Sequence, residues 1–423
     1  MNDLTQQTNA VSDPSILSRY QRAAALERES LRETMIINAQ IHPHWIGDSD
    51  SFWYIRTSRS SEGASAELTK EYRLVDANAV TNVEAFDHIG LANALSDATG
   101  TPVNFLSLPI DNIEFDQDDK GISFDAFDQR WLFNGDIKVV DKPVTHPAHW
   151  LISPDGTKAV FVKAYNLWIR DLEQGEEWAL TQDGQQYYAY ASQPESRNLV
   201  GGMVSPESPQ TPEAQWSPDS KKLFTLQVDE RKVRSLPSML YVPQDGTVAP
   251  RVHERKYALP GDKNVAQFRL LVIDVATTTE VVAHYPPIED SFVWLCPFSG
   301  NLAWWSADSK HAYFVDMTRG QKTARLVSFD VQTGATNRLF EETANTYLDL
   351  GLDYESPSIL TLLSETNELV WYSERSGWGH LYLYDLSTGK LKNAVTSGDW
   401  LVRNVLHFDK TARELFVQIA GRV

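Results

Sequence analysis

Ser306-Ala307-Asp308-Ser309-Lys310-His311-Ala312-Tyr313-Phe314-Val315, followed by Leu326-Val327-Ser328-Phe329-Asp330-Val331-Gln332-Thr333-Gly334, is one copy of a pattern that runs through most of this 423-residue chain. Its first half is a turn that feeds an apolar strand at 312–315. Ser153-Pro154-Asp155-Gly156 and Ser217-Pro218-Asp219-Ser220 repeat the turn and lead into strands at 159–162 and 223–226. Proline presets φ for such a turn, the Asp side chain bonds back to the backbone, and glycine tolerates the exit.

The second half is a strand that ends in Asp. Leu167 and Asp171, Leu270 and Asp274, Leu326 and Asp330, and Leu381 and Asp385 each stand four apart, with Leu or Val after the Asp. Gly175, Gly334 and Gly389 lie four residues beyond three of these aspartates, Thr278 stands at the fourth, and weaker copies end at Asp76 and Asp141. Asp274 to Asp330 is 56 positions and Asp330 to Asp385 is 55. A repeat of turn, strand, strand and turn at that length is one four-stranded blade of a β-propeller, and helical solenoids would need a 3.6-residue period that is missing here. The expected fold is therefore all-β, a propeller incomplete at its C-terminal end, with a short helix at its start.

Around that frame, residues 1–13 read as a disordered tail and 14–40 as a helical segment. Ser12 or Asp13 before Pro14 suits a helix start, and Ile16, Leu17, Tyr20, Ala24, Leu31 and Met35 form a stripe within 15–37. Residues 41–423 are the propeller, interrupted by a second helical stretch from Glu84 to Leu95. Ser217 to Asp274 spans 57 positions where the other blades need 18 and 24, so an arm is inserted at about 231–267. It carries Pro237, Pro243, Pro250 and Pro260 with Leu236, Met239 and Tyr241, which read as exposed. Loops this long in compact domains are usually functional or mobile. After His407-Phe408-Asp409-Lys410 a strand begins at Glu414 and the sequence stops at Val423. An unpaired blade edge invites aggregation, so the expectation is a piece of a longer protein.

Composition narrows the chemistry. Hydrophobic residues are 42% and charged residues 22%, ordinary for a globular chain, whereas 13 Trp, 16 Tyr and 17 Phe favour β structure. A net charge of −19 opposes nucleic-acid backbones and anionic membranes as partners. The single cysteine, Cys296, rules out an intrachain disulfide framework and reads as a buried, inert thiol. No stretch nears 18 consecutive apolar residues, and 1–13 lacks an apolar leader core, so a cytoplasmic location is expected unless a leader has been removed, in which case it would be periplasmic.

Catalytic motifs are missing. The nearest string to a nucleophile elbow, Gly47-Asp48-Ser49-Asp50-Ser51, lacks its last glycine, and there is no glycine-rich phosphate loop. His42 with His44, and His146 with His149, could pair on a metal. The plainer reading makes Trp45 and Trp150, which follow them, one blade position twice in the inter-blade core. The acids Asp116, Asp118, Asp119, Glu341 and Glu342 admit a funnel glycosidase as the weakest alternative. No cofactor or metal is expected.

Several stretches together resemble bacterial dipeptidyl peptidase IV-like serine peptidases of the prolyl oligopeptidase superfamily. They are His42-Pro43-His44-Trp45-Ile46-Gly47-Asp48-Ser49-Asp50-Ser51-Phe52-Trp53-Tyr54, Ala85-Phe86-Asp87-His88, Trp216-Ser217-Pro218-Asp219-Ser220-Lys221 and Asp229-Glu230-Arg231-Lys232-Val233. Ser373-Glu374-Arg375, Gly377-Trp378-Gly379-His380-Leu381-Tyr382-Leu383-Tyr384 and Thr396-Ser397-Gly398-Asp399-Trp400 complete the series. The resemblance implies an eight-bladed propeller that gates and orients peptides for a C-terminal α/β-hydrolase domain carrying the Ser-Asp-His triad, so no catalytic residue is expected in this chain. In members that release dipeptides, a Glu-Glu pair after Asp-Trp-x-Tyr holds the substrate amine. Here the region reads Tyr187-Tyr188-Ala189-Tyr190-Ala191-Ser192-Gln193-Pro194-Glu195-Ser196-Arg197, with Glu195 as its only acid and substrate-binding candidate, so an oligopeptidase or a less exacting aminopeptidase stands beside a strict dipeptidyl peptidase. The resemblance further implies Arg130 as the arginine that holds a substrate carbonyl, and a homodimer contacted through an arm at Leu236, Met239 and Tyr241. The alternative from a different class is a stand-alone propeller scaffold for protein–protein interaction.

Overall fold

The structure is a computed structural model, and it describes residues 14–27, 37–38, 41–47, 49–59, 68–115, 121–140, 146–195, 209–241, 249–290, 296–351, 358–409 and 411–421. The tail 1–13, the helical expectation over 28–36, Asp116, Asp118, Asp119, Asp141, Pro243, Ser196 and Arg197 lie outside the described residues. The chain divides into two compact units, Met1–Thr145 and His146–Val423.

The first unit holds helix α1 (Pro14–Glu27), whose Ile16, Leu17 and Tyr20 are exposed. Two antiparallel four-stranded sheets follow. One is β1 (His44–Trp45), β2 (Ser51–Arg59), β3 (Leu68–Asp76) and β4 (Thr81–Glu84); the other is β5 (Asp111–Phe115), β6 (Ile122–Ala126), β7 (Gln129–Phe133) and β8 (Ile137–Val140). Between them stands α2 (His88–Thr99), which corrects the expected span from Glu84 to Leu95. Glu84 ends β4, paired with Arg73, and the side chain of Asp87 caps the helix by accepting from the Gly90 amide at 2.9 Å. Leu91, Ala92 and Leu95 pack with Trp53, Tyr72, Phe124 and Trp131 in one core. Ser49, in the elbow-like string, is a turn residue whose hydroxyl donates to the Ile46 carbonyl at 2.6 Å.

The second unit is built from the repeat. Its sheets are β9 (Leu151–Ile152), β10 (Lys158–Lys163), β11 (Asn166–Asp171) and β12 (Glu177–Ala179); a six-stranded sheet around β15 (Lys222–Asp229) and β18 (Gln267–Asp274); β21 (Ala303–Trp305), β22 (His311–Met317), β23 (Thr323–Asp330) and β24 (Thr336–Thr343); and β25 (Thr361–Leu363), β26 (Glu368–Ser373), β27 (His380–Asp385) and β28 (Lys390–Ala394). The six-stranded sheet is completed by β13 (Tyr188–Tyr190), β14 (Ala214–Trp216), β19 (Glu280–Val282) and β20 (Ile288–Glu289). The chain's last pair is the hairpin β29 (Leu401–Asp409) and β30 (Glu414–Ala420). Two strands therefore follow the fourth repeat where one was expected, because the 401–409 stretch is itself extended.

Alternation explains why these strands are apolar throughout. On β18, Phe268, Leu270 and Val272 enter the core shared with the next sheet, while Leu271 and Ile273 enter the core shared with the previous one. On β22, Ala312 and Phe314 face one core, and Tyr313, Val315 and Met317 the other. A sheet buried on both faces reads as a continuous hydrophobic run.

Each recurrent motif has a structural task. The turn serine closes on the turn aspartate, as Ser153 Oγ donates to Asp155 Oδ1 at 2.6 Å, and Ser217 and Ser306 do the same to Asp219 and Asp308. The next copy accepts from this one. The Asp155 amide donates to Ser220 Oγ at 3.1 Å and the Asp219 amide to Ser309 Oγ at 3.3 Å. Trp216 and Trp305 donate their indole N–H to the Leu151 and Gln215 carbonyls of the preceding sheet at 2.9 and 3.1 Å.

Trp45 pairs with Phe52, the second residue of β2, as Trp216 pairs with Leu223 and Trp305 with Ala312. Ile152 holds that slot in its own sheet, opposite Ala159. Trp45 and Trp150 are thus not one position twice. Trp150 stands two residues earlier, stacked on Phe161 at 5.5 Å, and Trp45 is 45% exposed, outside any inter-sheet core.

The aspartates that end β11, β18 and β23 accept backbone N–H groups two and three residues on, as when Asp330 Oδ1 takes Gln332 at 3.0 Å and Thr333 at 2.8 Å. Asp385, ending β27, accepts the Thr388 amide at 2.9 Å. The residue four beyond each Asp has positive φ, including Thr278.

The last hairpin is tied to the preceding sheet through Glu368. This carboxylate is 3% exposed, takes the Arg413 guanidinium from the β29–β30 turn at 2.7 Å, and also holds the Lys392 ammonium and the Thr366 hydroxyl. Burial pushes its pKa up, but the bonds from Lys392, Thr366 and Arg413 outweigh it and hold the carboxyl at about 2. The folded value lies below the unfolded one, so the stabilisation is full above the ordinary glutamate range and is lost as pH falls through about 2. Glu368→Gln is expected to remove on the order of 2 kcal/mol at neutral pH. Denaturant midpoints at pH 7 and pH 2.5 check this, since the gap between the two proteins must narrow in acid; a gap that stays constant contradicts it.

Candidate functional site

Sheet β9–β12 and the six-stranded sheet enclose a cavity of about 700 Å³ within the second unit. Its aromatic wall is Trp150, Phe161, Tyr165 and Tyr187, and its acids are Glu177, Glu195, Glu230 and Glu254. Local backbone puts the tyrosines there. Ala164 and Tyr165 turn the β10–β11 hairpin with φ of 49° and 67°, and Tyr187 has φ 64° just before β13. Left-handed φ at a bulky residue is strained, and such strain clusters at sites of function.

The carboxylates differ in state. Glu177 is neutralised by Arg170 at 2.7 Å and Lys163 at 3.8 Å. Glu230 follows the last residue of β15 and is 4% exposed; both of its oxygens accept the Glu195 amide at 3.0 Å. Glu195 is half-buried, and its Oε2 accepts the Lys256 amide at 2.6 Å. Burial, and then the charges of Glu195 and Glu230, push the Tyr187 phenol up. The Lys256 ammonium lies 4.9 Å from the centre of the Tyr187 ring and donates to the Val233 carbonyl at 2.8 Å. A half-enclosed site of aromatic faces and carboxylates suits an organic cation such as an ammonium group.

Glu195, expected from the sequence to hold substrate, lines this cavity. The second carboxylate, Glu230, comes from 35 positions along the chain, brought beside it by the β13–β15 register that pairs Tyr188 with Asp229. Arg130 belongs to the other unit and is 3% exposed. Its guanidinium is held within its own sheet by Glu114 at 2.7 Å, Asp125 at 3.2 Å, the Asn112 carbonyl at 2.7 Å and the Ser123 hydroxyl at 2.9 Å. In that state it braces β5, β6 and β7.

The inserted arm is the hairpin β16 (Ser235–Leu240) and β17 (Arg251–Lys256). Met239 and Tyr241 are 46% and 74% exposed, and Met239 lies opposite exposed Val252. Leu236 is half-buried, against expectation, because it occupies the other face of the ribbon, opposite Arg255.

The remaining candidates resolve into structure. His44 stacks on Trp53 at 4.1 Å, and His146 on Trp150 at 6.0 Å. Among the described residues no group of three or more His, Cys, Asp or Glu surrounds a common point. Glu341 pairs with Arg325 and Arg338, and Glu342 with Arg375, so neither is poised as a glycosidase acid or base. Cys296 is a buried thiol outside any disulfide.

The family model described as the dipeptidyl peptidase IV (DPP IV) N-terminal region matches residues 123–418. Dipeptidyl peptidase 4 of Arthroderma otae is 27% identical over 210 residues, which is 48% of this chain and 25% of that protein. Dipeptidyl peptidase 4 of Trichophyton rubrum is 26% identical over the same length and also covered to 25%, so the chain spans about a quarter of the curated relatives it matches. The crystal structure of Porphyromonas gingivalis dipeptidyl peptidase 4 superposes with a TM-score of 0.55 at 17% identity, covering 92% of this chain and 51% of that one. With the antiparallel four-stranded sheets of both units, these matches establish an all-β, β-propeller fold, and the chain belongs to the dipeptidyl peptidase IV N-terminal region family.

Proposed function

We propose that this chain is the substrate-gating and substrate-orienting propeller of a serine-type dipeptidyl peptidase, working on peptides delivered to an α/β-hydrolase domain in the same polypeptide. The observation that carries the reading is the acidic, aromatic cavity in which Glu195 is presented beside Glu230. A peptide's free N-terminus is an ammonium, and a held carboxylate gives it a charge-assisted bond and a fixed distance to the scissile bond. Glu195 would take the amine with Glu230 holding its backbone, where dipeptide-releasing members of the family use an adjacent glutamate pair.

In a polypeptide that joins this chain to an α/β-hydrolase domain, Glu195→Gln is expected to raise KM for an alanyl-alanyl anilide about tenfold with kcat little changed, the loss of one charge-assisted bond. An unchanged KM would remove Glu195 from the site. In the same reading the exposed Met239, Tyr241 and Val252 make the arm a contact between two copies. Met239→Asp with Tyr241→Asp would then halve the sedimenting mass of that protein, and an unaltered mass would count against the arm as the contact.

A further inference from the structure

The root of the arm touches the site. Lys256 is the last residue of β17, paired with Ser235, the first of β16. Its amide is not spent on that pairing but donates to Glu195 Oε2 at 2.6 Å. From the other side, the Glu230 carboxylate grips the Glu195 amide with both oxygens at 3.0 Å. The Glu230 amide in turn donates to the carbonyl of strained Tyr187 at 2.8 Å.

We propose that the Lys256 amide and the Glu230 carboxylate are positioning groups that hold Glu195 ready for a substrate's ammonium, so that the arm's root is a working part of the site. The inference rests on the reading of Glu195 as the amine acceptor. A glutamate side chain free to turn must be ordered when ligand binds, and that ordering weakens binding. Here one oxygen is pinned by the arm and the backbone by Glu230 just beyond β15, which leaves the other oxygen and the remaining lone pairs for a cation. Met239 lies in the same two-stranded ribbon as the arm's root, and Tyr241 follows its first strand by one residue. A change of register in that ribbon would move the Lys256 amide and release Glu195.

Proline at 256 removes the amide without breaking a ladder bond, and the residue before it is already extended, as proline requires. Lys256→Met keeps the amide and deletes the ammonium with its bond to the Val233 carbonyl, a loss that proline shares, so it is the reference for the proline variant. The 423-residue chain is titrated by calorimetry at pH 6.5 with alanine tripeptide amide and with its N-acetylated twin, and the ratio of the two affinities is read.

The unaltered chain should favour the free amine. Glu230→Gln should cut that preference about tenfold below the unaltered chain, and Lys256→Pro about tenfold below Lys256→Met, the scale of one charge-assisted bond. Glu230→Gln has the same shape as the original side chain and decides the matter if the proline variant does not fold. A preference retained in Glu230→Gln and in folded Lys256→Pro overturns the positioning inference while leaving the amine reading intact. A Lys256→Met loss as large as that of Lys256→Pro overturns the role of the amide. Equal affinities of the unaltered chain for the two peptides overturn the amine reading itself.

Discussion

Glu342→Ala should lower the stability of the second unit by on the order of 3 kcal/mol, seen as a fall in Tm of roughly 6–12 °C. Glu342 lies on β24 and reaches across to the next sheet. It accepts the indole N–H of fully buried Trp371 at 2.6 Å, takes the Arg375 guanidinium at 2.7 Å, and is also bonded by the Ser373 hydroxyl. Alanine leaves a buried indole donor and a largely covered guanidinium without that carboxylate, and breaking one side of such a pair costs much more than the pair contributes net. Glu342→Gln should recover part of the loss because it keeps an acceptor. Equal melting of the alanine variant and the parent would show that solvent replaces the carboxylate.

Gly389→Ala is expected to cost about 2–4 kcal/mol, the sum of a left-handed backbone and a clash. Gly389 has φ 66°, and a Cβ there would stand 2.1 Å from the Leu339 carbonyl oxygen of the neighbouring sheet. The backbone angle alone does not demand glycine, since Thr278 adopts φ 56° at the corresponding place. Contact with the adjacent sheet is what excludes a side chain. Gly175, with φ 75° and only the Arg170 guanidinium nearby at 3.4 Å, provides the contrast. Gly175→Ala should cost about 1 kcal/mol, and chemical denaturation of the two variants side by side separates the backbone term from the contact term. Equal losses would place the whole effect in the backbone.

What was legible in the sequence was what is local. The Ser-Pro-Asp turns and the aspartates that end β11, β18, β23 and β27 bond within a few residues of themselves, so spacing alone exposed them. The partnership between turns did not show, because Ser220 and Ser309 act on the sheets before theirs.

Ser373-Glu374-Arg375 and Gly377-Trp378-Gly379-His380, which mark the family resemblance, lock the fold. His380 is 1% exposed, donates from Nε2 to the Gly398 carbonyl at 2.9 Å, and accepts the Thr396 hydroxyl at Nδ1 at 3.0 Å. A Cβ on Gly379 would meet the Tyr372 hydroxyl at 1.8 Å. A signature can thus be strict for packing reasons and say nothing of substrate.

The site was half visible. Glu195 stood out as the one acid in its segment, whereas Glu230 stood only within a family-like stretch, with no role assigned, until strand pairing brought it to the same cavity. Arg130 could not be judged from sequence, because what occupies it are Glu114, Asp125, Asn112 and Ser123, which only the sheet register assembles.

We propose that the cavity lined by Trp150, Tyr187, Glu195 and Glu230 receives the amino end of a peptide. A crystal structure of the chain with alanine tripeptide amide would decide this. The peptide's terminal nitrogen is expected within hydrogen-bonding distance, about 3 Å, of a Glu195 carboxylate oxygen, with the peptide leading away from Glu230. A peptide bound elsewhere, or with its amino end away from both carboxylates, would contradict it.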